Sequence, residues 1–168
     1  MSGPLDGIRI VDLSVAITGP LAAGMLVDQG ADCVKVEQAP TGDVVRWLGS
    51  TVAGISAMFQ TANRGKRSIV LDLGQADGLA ILRDLVADAD VLVQNFRPGV
   101  AERLGVAYDD IRSIRPDIVY ADLTGFGTSG PYSHRRAYDT VIQAQSGLAA
   151  SQTGQNGSEM PTKPNTAA

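Results

Sequence analysis

Several short segments carry side chains able to bind or transform a ligand. Ser14-Val15-Ala16-Ile17-Thr18-Gly19-Pro20 joins small side chains to a glycine and a helix-opening proline, so backbone N–H groups there can meet a phosphate. It contains no G-x-G-x-x-G pattern, and an ordinary strand-to-helix turn fits it equally well. Asn63-Arg64-Gly65-Lys66-Arg67-Ser68 places three cations before a strand, either to hold an anion or as a solvated basic turn. Asn95-Phe96-Arg97-Pro98-Gly99-Val100, followed by Glu102-Arg103-Leu104-Gly105, is more specific. An exposed Phe96 beside two arginines and an amide can stack on an adenine and clamp phosphates. In Thr124-Gly125-Phe126-Gly127-Thr128-Ser129-Gly130-Pro131, glycines let the backbone approach a ligand closely, or leave a mobile loop. Tyr138-Asp139 opens a helix, where the carboxylate either caps or orients a substrate. His134 has no carboxylate partner in sequence and reads as a surface residue.

These segments need a scaffold, and the pattern supplies one. Apolar, β-branched runs at Ile8 to Leu13, Asp32 to Glu37, Ser68 to Leu73, Val91 to Phe96 and Ile118 to Leu123 read as strands. Each is mostly apolar on both faces, which predicts central strands of a parallel sheet. Helices are expected over Pro20 to Gln29, closed by Gly30, over Ala76 to Ala87, over Tyr108 to Ile114, stopped before Pro116, and from about Tyr138. The alternation of strand and helix is that of βαβ units, an α/β architecture whose ligands gather beyond the carboxyl ends of the strands. From Ser151 to Ala168 the chain has no apolar period and many turn formers, so residues 1–150 are read as the domain and 151–168 as a loop or linker.

Composition narrows the function. With 168 residues, 44% of them hydrophobic, the chain can build one core. A formal charge of −4 without a lysine or arginine run argues against a nucleic-acid surface. One cysteine, Cys33, and one histidine exclude an intrachain disulfide and a Cys/His metal cluster, so no metal is expected. Neither a signal peptide nor an apolar run long enough to cross a bilayer is evident, so the expectation is a cytoplasmic protein with no membrane partner.

Together with the segments above, Pro4-Leu5-Asp6-Gly7-Ile8-Arg9-Ile10-Val11-Asp12-Leu13, Gly30-Ala31-Asp32-Cys33-Val34-Lys35-Val36-Glu37 and Ala137-Tyr138-Asp139 resemble the class III coenzyme A transferases. The match spans nearly all of residues 4–150, with the motifs in family order. The resemblance implies a Rossmann-like parallel sheet flanked by helices, forming the N-terminal part of a larger fold in an interlocked homodimer. It also implies acyl-CoA and a carboxylic acid as substrates. Ile17 and Thr18 would lie against CoA. Gln38, Leu71, Asp72, Leu73, Gly74, Asn95, Phe96 and Arg97 would line its groove, Arg103 would meet a phosphate, and Arg136, Tyr138 and Asp139 would approach the thioester. Gln38 and Gly74 stand where relatives often have a basic residue, so phosphate contacts at those two positions are not carried over.

In the family this chain resembles, an aspartate attacks the acyl-CoA thioester to give a mixed anhydride, and CoA thiolate then returns to give an enzyme-bound thioester. The resemblance puts that aspartate about thirty residues beyond Tyr138-Asp139, at or after the end of the sequence. Residues 160–168 hold no acidic side chain, so the expectation is a truncated N-terminal portion without turnover of its own. Two alternatives stand beside the transferase: part of an α-methylacyl-CoA racemase, or a non-catalytic CoA-binding remnant. Racemases of that branch have histidine where Tyr138 stands, and tyrosine, with an ordinary pKa of about 10, is a poor base near neutrality.

Overall fold

The computed structural model describes residues 3–151. The chain divides into two compact units, Met1–Leu123 and Thr124–Ala168.

The first unit is built on five parallel strands: β1 (Arg9–Asp12), β2 (Asp32–Gln38), β5 (Arg67–Leu71), β6 (Val91–Gln94) and β7 (Val119–Asp122), in the spatial order β5-β2-β1-β6-β7. The chain winds outward from β1 through β2 to β5, then returns to the other side of β1 to add β6 and β7. Counting only the strands of this sheet, the order is 3-2-1-4-5, that of a Rossmann-like doubly wound sheet, with its switch point between β1 and β6. Paired residues Ile10↔Cys33 and Val11↔Leu92 set the register.

Side chains alternate across the sheet. On one face Val11, Leu13, Val36, Leu71 and Leu92 pack with Leu82 and Val86 of α3 (Ala76–Ala87) and Ile111 of α5 (Tyr108–Ile114). On the other, Ile10, Cys33 and Val93 pack with Ala23 of α1 (Thr18–Val27). Each fully buried leucine contributes roughly 1.5–3 kcal/mol through removal of apolar surface from water. Cys33 sits in this core with its thiol pushed up to about 12, first by burial and then by the nearby Asp12 charge, so it is no nucleophile.

One expectation changes, and one segment without an expectation gains a structure. β5 and β7 are the edges of the sheet, with most of their residues exposed or half-buried, so the strands expected at Ser68 to Leu73 and Ile118 to Leu123 are not central. Ile69 and Leu71 of β5 pack on the α3 side, β7 sends Tyr120 to that side and Ala121 to the other, and Val70 and Val119 are exposed. The segment after β2, without an assignment in the sequence reading, folds into a 3₁₀ turn (Val44–Trp47), a hairpin of β3 (Thr51–Val52) and β4 (Ile55–Ser56), and α2 (Ala57–Asn63). Ser56 ties these together: its hydroxyl donates to Val45 O and accepts from Phe59 N at 3.0 Å, capping α2. A short α4 (Val100–Leu104) is framed by left-handed Gly99 and Gly105.

The second unit contains α6 (Asp139–Gln145) and α7 (Leu148–Ser151). Ser151 closes α7, and the rest of the loop expected over residues 151–168 lies outside the described residues. Among the described residues, no helix is long and apolar enough to cross a membrane.

Candidate functional site

Because the five strands are parallel, the segments following β1, β2, β5 and β6 emerge at one edge of the sheet. The crevice of such a fold opens there, at the switch point between β1 and β6. The structure therefore brings Ile17, Thr18, Gln38, Leu71 to Gly74 and Asn95 to Arg97 to a common edge. α1 begins at Thr18, which puts the positive end of its dipole at the same edge.

The loop after β1 is tied at each successive peptide. Ser14 donates through its N–H (2.9 Å) and its hydroxyl to Asp12 Oδ1. The Asn95 amide spans the switch point, donating to Val15 O and accepting from Val15 N, both at 2.8 Å. Ala16 N donates to Asp43 Oδ1 at 3.1 Å, and Lys35 Nζ donates to Ser14 O at 2.7 Å. Immediately after these ties Ala16 takes φ +66°, a left-handed conformation that costs a residue with a Cβ about 1–2 kcal/mol. Asn95 thus spends its side chain on holding the loop. Ile17 is half-buried and Thr18 exposed.

Beneath this loop lies a network of buried charge. Lys66 Nζ donates to Asp12 Oδ2 (2.7 Å), Pro20 O (2.6 Å) and Asn63 Oδ1 (3.0 Å). Burial lowers the Lys66 pKa, with Asp12 working against it. Lys35 pairs with Asp43 at 2.9 Å. Glu37 accepts from Arg46 (Nε to Oε2 and Nη2 to Oε1, both 2.6 Å), from the Ser68 hydroxyl and from Asp43 N (2.9 Å), while Arg46 also lies 3.9 Å over the Phe59 ring. The sequence reading missed this network, although one signal was present. Lys35 and Glu37 alternate with Val36 on a strand with both faces covered, and charges in such a place must be paired.

Burial alone would raise the Glu37 carboxyl, but the hydrogen bonds from Arg46, Ser68 and Asp43 outweigh it and bring the value from an ordinary 4.5 down to about 2. A carboxylate held below its unfolded value stabilises the fold fully above about pH 4.5, and that contribution fades as the pH falls towards 2. It amounts to about 3 kcal/mol. In urea titrations between pH 6 and 3, wild type should therefore lose more stability than Glu37→Gln. Parallel losses in the two proteins would contradict the assignment.

The three cations of residues 63–68 do not await an anionic ligand, nor are they merely solvated. Arg64 pairs with Asp28, Lys66 with Asp12 and Arg67 with Asp32. Each ties the turn to an acid already at hand.

At the end of β5, Leu71 is buried in the core and its carbonyl accepts from Ala39 N at 3.2 Å, while Asp72 and Gly74 are exposed and Leu73 half-buried. Asp72 Oδ1 accepts from Gly74 N at 2.9 Å, closing the turn into α3. After β6, Phe96 is half-buried against the core rather than exposed, its N–H donating to Gln94 Oε1 at 2.7 Å. The ring therefore offers a ligand one side only. Arg97 on the loop and Arg103 on α4 are exposed, and Gln38 is exposed at the end of β2.

The remaining candidates belong to the second unit. Gly125 is required by close approach: a Cβ there would lie 2.0 Å from that of Ala137. Phe126 meets Tyr132 edge to face, and the Arg135 guanidinium lies 4.0 Å over the Tyr132 ring. His134 and Arg136 are exposed, and so is Tyr138, which precedes the first helical residue of α6. Asp139, in the first turn of α6, accepts from Gln143 Nε2 at 2.8 Å, a bond that orients its carboxylate.

Comparison with known proteins assigns the fold to a lineage. Residues 5–168 match the family model for CoA-transferase family III. The chain is 44% identical over 146 residues to acetyl-CoA:oxalate CoA-transferase from Acetobacter aceti, covering 87% of this chain and 38% of that protein. It is 42% identical over 146 residues to succinyl-CoA:glutarate CoA-transferase from Mus musculus, covering 86% and 34% respectively. A crystal structure of a CAIB/BAIF family protein from Brucella suis superposes with a TM-score of 0.91 at 38% identity, over 99% of this chain and 45% of that one. The chain thus spans less than half the length of each of these three relatives. With a Rossmann-like sheet, a tied loop at the switch point and a family match over almost its whole length, the chain belongs to CoA-transferase family III.

Proposed function

We propose that this chain carries the CoA-binding portion of an enzyme that moves CoA between an acyl-CoA thioester and a carboxylic acid. The supporting observation is the switch-point crevice: a fixed loop at Ile17 and Thr18 on one side, and Phe96 with the exposed Arg97 and the nearby α4 residue Arg103 on the other. In this reading the adenine lies against the open side of Phe96, and the phosphates meet Arg97, Arg103 and the N-terminus of α1. The exposed turn at Asp72 to Gly74, with Gln38, lines the same groove through its backbone and the neutral Gln38 amide, the Asp72 carboxylate being engaged by Gly74 N. Leu71 contributes through its backbone and the packing beneath the turn.

The exchange proceeds through an aspartyl anhydride and an aspartyl CoA thioester, which conserves thioester energy between donor and acceptor. Arg136, Tyr138 and Asp139 serve the thioester end, and Asp139, engaged by Gln143, orients rather than attacks. Tyr138 favours transfer over racemisation, since a proton-shuttling histidine is missing at that position. The working form is an interlocked homodimer. The two curated relatives are named for oxalate and glutarate, so dicarboxylic acids are the first acceptors to assay.

Calorimetric titration with CoA tests the placement. Arg103→Ala should weaken binding about tenfold, as loss of one charge-assisted phosphate contact does, and the loss should be larger at low salt. Unchanged affinity in both Arg97→Ala and Arg103→Ala would refute it.

A further inference from the structure

We infer that Asp43, braced by Lys35, is a positioning residue for CoA: it fixes the left-handed bend at Ala16 that presents Ile17 and Thr18 to the nucleotide. The inference rests on the CoA-binding reading above and adds to it two residues that make no contact with the ligand.

Three facts carry it. Asp43 Oδ1 accepts from both Ala16 N and Val45 N, each at 3.1 Å, so one carboxylate oxygen joins the β1 loop to the turn after β2. Lys35 grips the same loop one peptide earlier, through Ser14 O at 2.7 Å, and faces Asp43 at 2.9 Å, with both side chains almost wholly buried. Directly after the second grip comes Ala16 at φ +66°, a non-glycine residue in a conformation that persists only where its surroundings over-determine it.

A stabilising role alone is a weak reason for such a pair. A buried ion pair can be replaced by apolar groups of the same volume at little or no net cost, because desolvation offsets most of its attraction. Apolar side chains at positions 35 and 43 would, however, leave Ser14 O and the N–H groups of Ala16 and Val45 without these partners. The pair supplies direction: it dictates where three backbone groups point at the mouth of the crevice.

The test combines amide exchange with CoA titration in three variants of the full chain: Asp43→Asn, the charge-neutral double variant Lys35→Met/Asp43→Asn, and Asp43→Asn/Ala16→Gly. Asparagine leaves one acceptor oxygen but turns an amide towards Lys35 Nζ, which loosens the grip. The double variant removes both charges together and guards against failure to fold. Asp43→Asn and the double variant should exchange the Ala16 amide faster while Val11 and Leu92 in the sheet keep their protection, and both should bind CoA about tenfold more weakly. Ala16→Gly, which meets no Cβ penalty at this φ, should recover most of the lost affinity in the Asp43→Asn background. Wild-type affinity in the first two variants, no recovery with Ala16→Gly, or loss of protection throughout the sheet would each overturn the positioning role. Failure of the wild-type chain to bind CoA would instead refute the underlying reading, and the inference with it.

Discussion

Lys66→Met should cost the fold about 3–5 kcal/mol, the usual penalty for removing one partner of a buried ion pair. Lys66 and Asp12 are 2.7 Å apart and their side chains are 1% and 0% exposed, so methionine would leave a carboxylate in the interior with no countercharge. It would also strip a donor from Pro20 O in the first turn of α1 and from Asn63 Oδ1 at the end of α2. Against a typical total of about 5–15 kcal/mol, a loss of that size shifts the urea midpoint strongly or prevents purification of folded protein. Arg64→Ala, removing an ion pair in the same turn that lies in solvent, should leave the midpoint almost unchanged. Equal midpoints for Lys66→Met and wild type would show that the network beneath the loop does not hold the fold together.

Gly78→Ala should be the next most damaging change. Gly78 lies on the buried side of α3, where an added Cβ would come within 2.2 Å of Asp72 O and 2.8 Å of its carbonyl carbon. Both atoms are backbone, so no side chain can swing aside, and either α3 or the turn at residues 72–75 must move. Overpacking of this kind costs about 1–3 kcal/mol, and the depth of the clash points to the upper end even after the roughly 1 kcal/mol by which alanine favours a helix over glycine. Because the displaced turn is part of the proposed CoA groove, affinity for CoA should fall along with the urea midpoint. A variant with wild-type stability and affinity would mean that α3 does not sit so closely on this turn.

The sheet was legible because its signal is local. Runs such as Val91 to Gln94 are short, β-branched and bounded by polar residues, and α3 follows from the spacing of Leu79, Leu82, Leu85 and Val86. Helix α5 ends where Pro116 forbids its continuation. Residues 44–63 were not legible. Val44, Trp47, Leu48 and Val52 are apolar yet exposed, so they follow no burial period, and the hairpin has only two residues per strand. Edge and centre also look alike in sequence, since the exposed Val70 and Val119 are as apolar as the buried residues beside them.

The site divides in the same way. Residues at strand ends fall at one edge by topology, and reading the sheet was enough to place them. What holds them is non-local: Lys66 meets Asp12 across 54 positions and Asn95 meets Val15 across 80. Neither partnership leaves a mark on spacing or composition. For the same reason the sequence left the basic turn at residues 63–68 open between an anion site and a solvated turn, when its cations were already committed to acids at the end of α1 and on β1 and β2.

Whether the switch-point edge binds CoA is decided by titrating CoA into isotope-labelled chain and following backbone amide resonances. Saturable shifts are expected at Ile17, Thr18, the residues of the 72–74 turn, Asn95, Phe96, Arg97 and Arg103, with β7 and the α5 surface unmoved. Absence of saturable shifts, or shifts confined to residues away from the carboxyl ends of β1, β5 and β6, would contradict it.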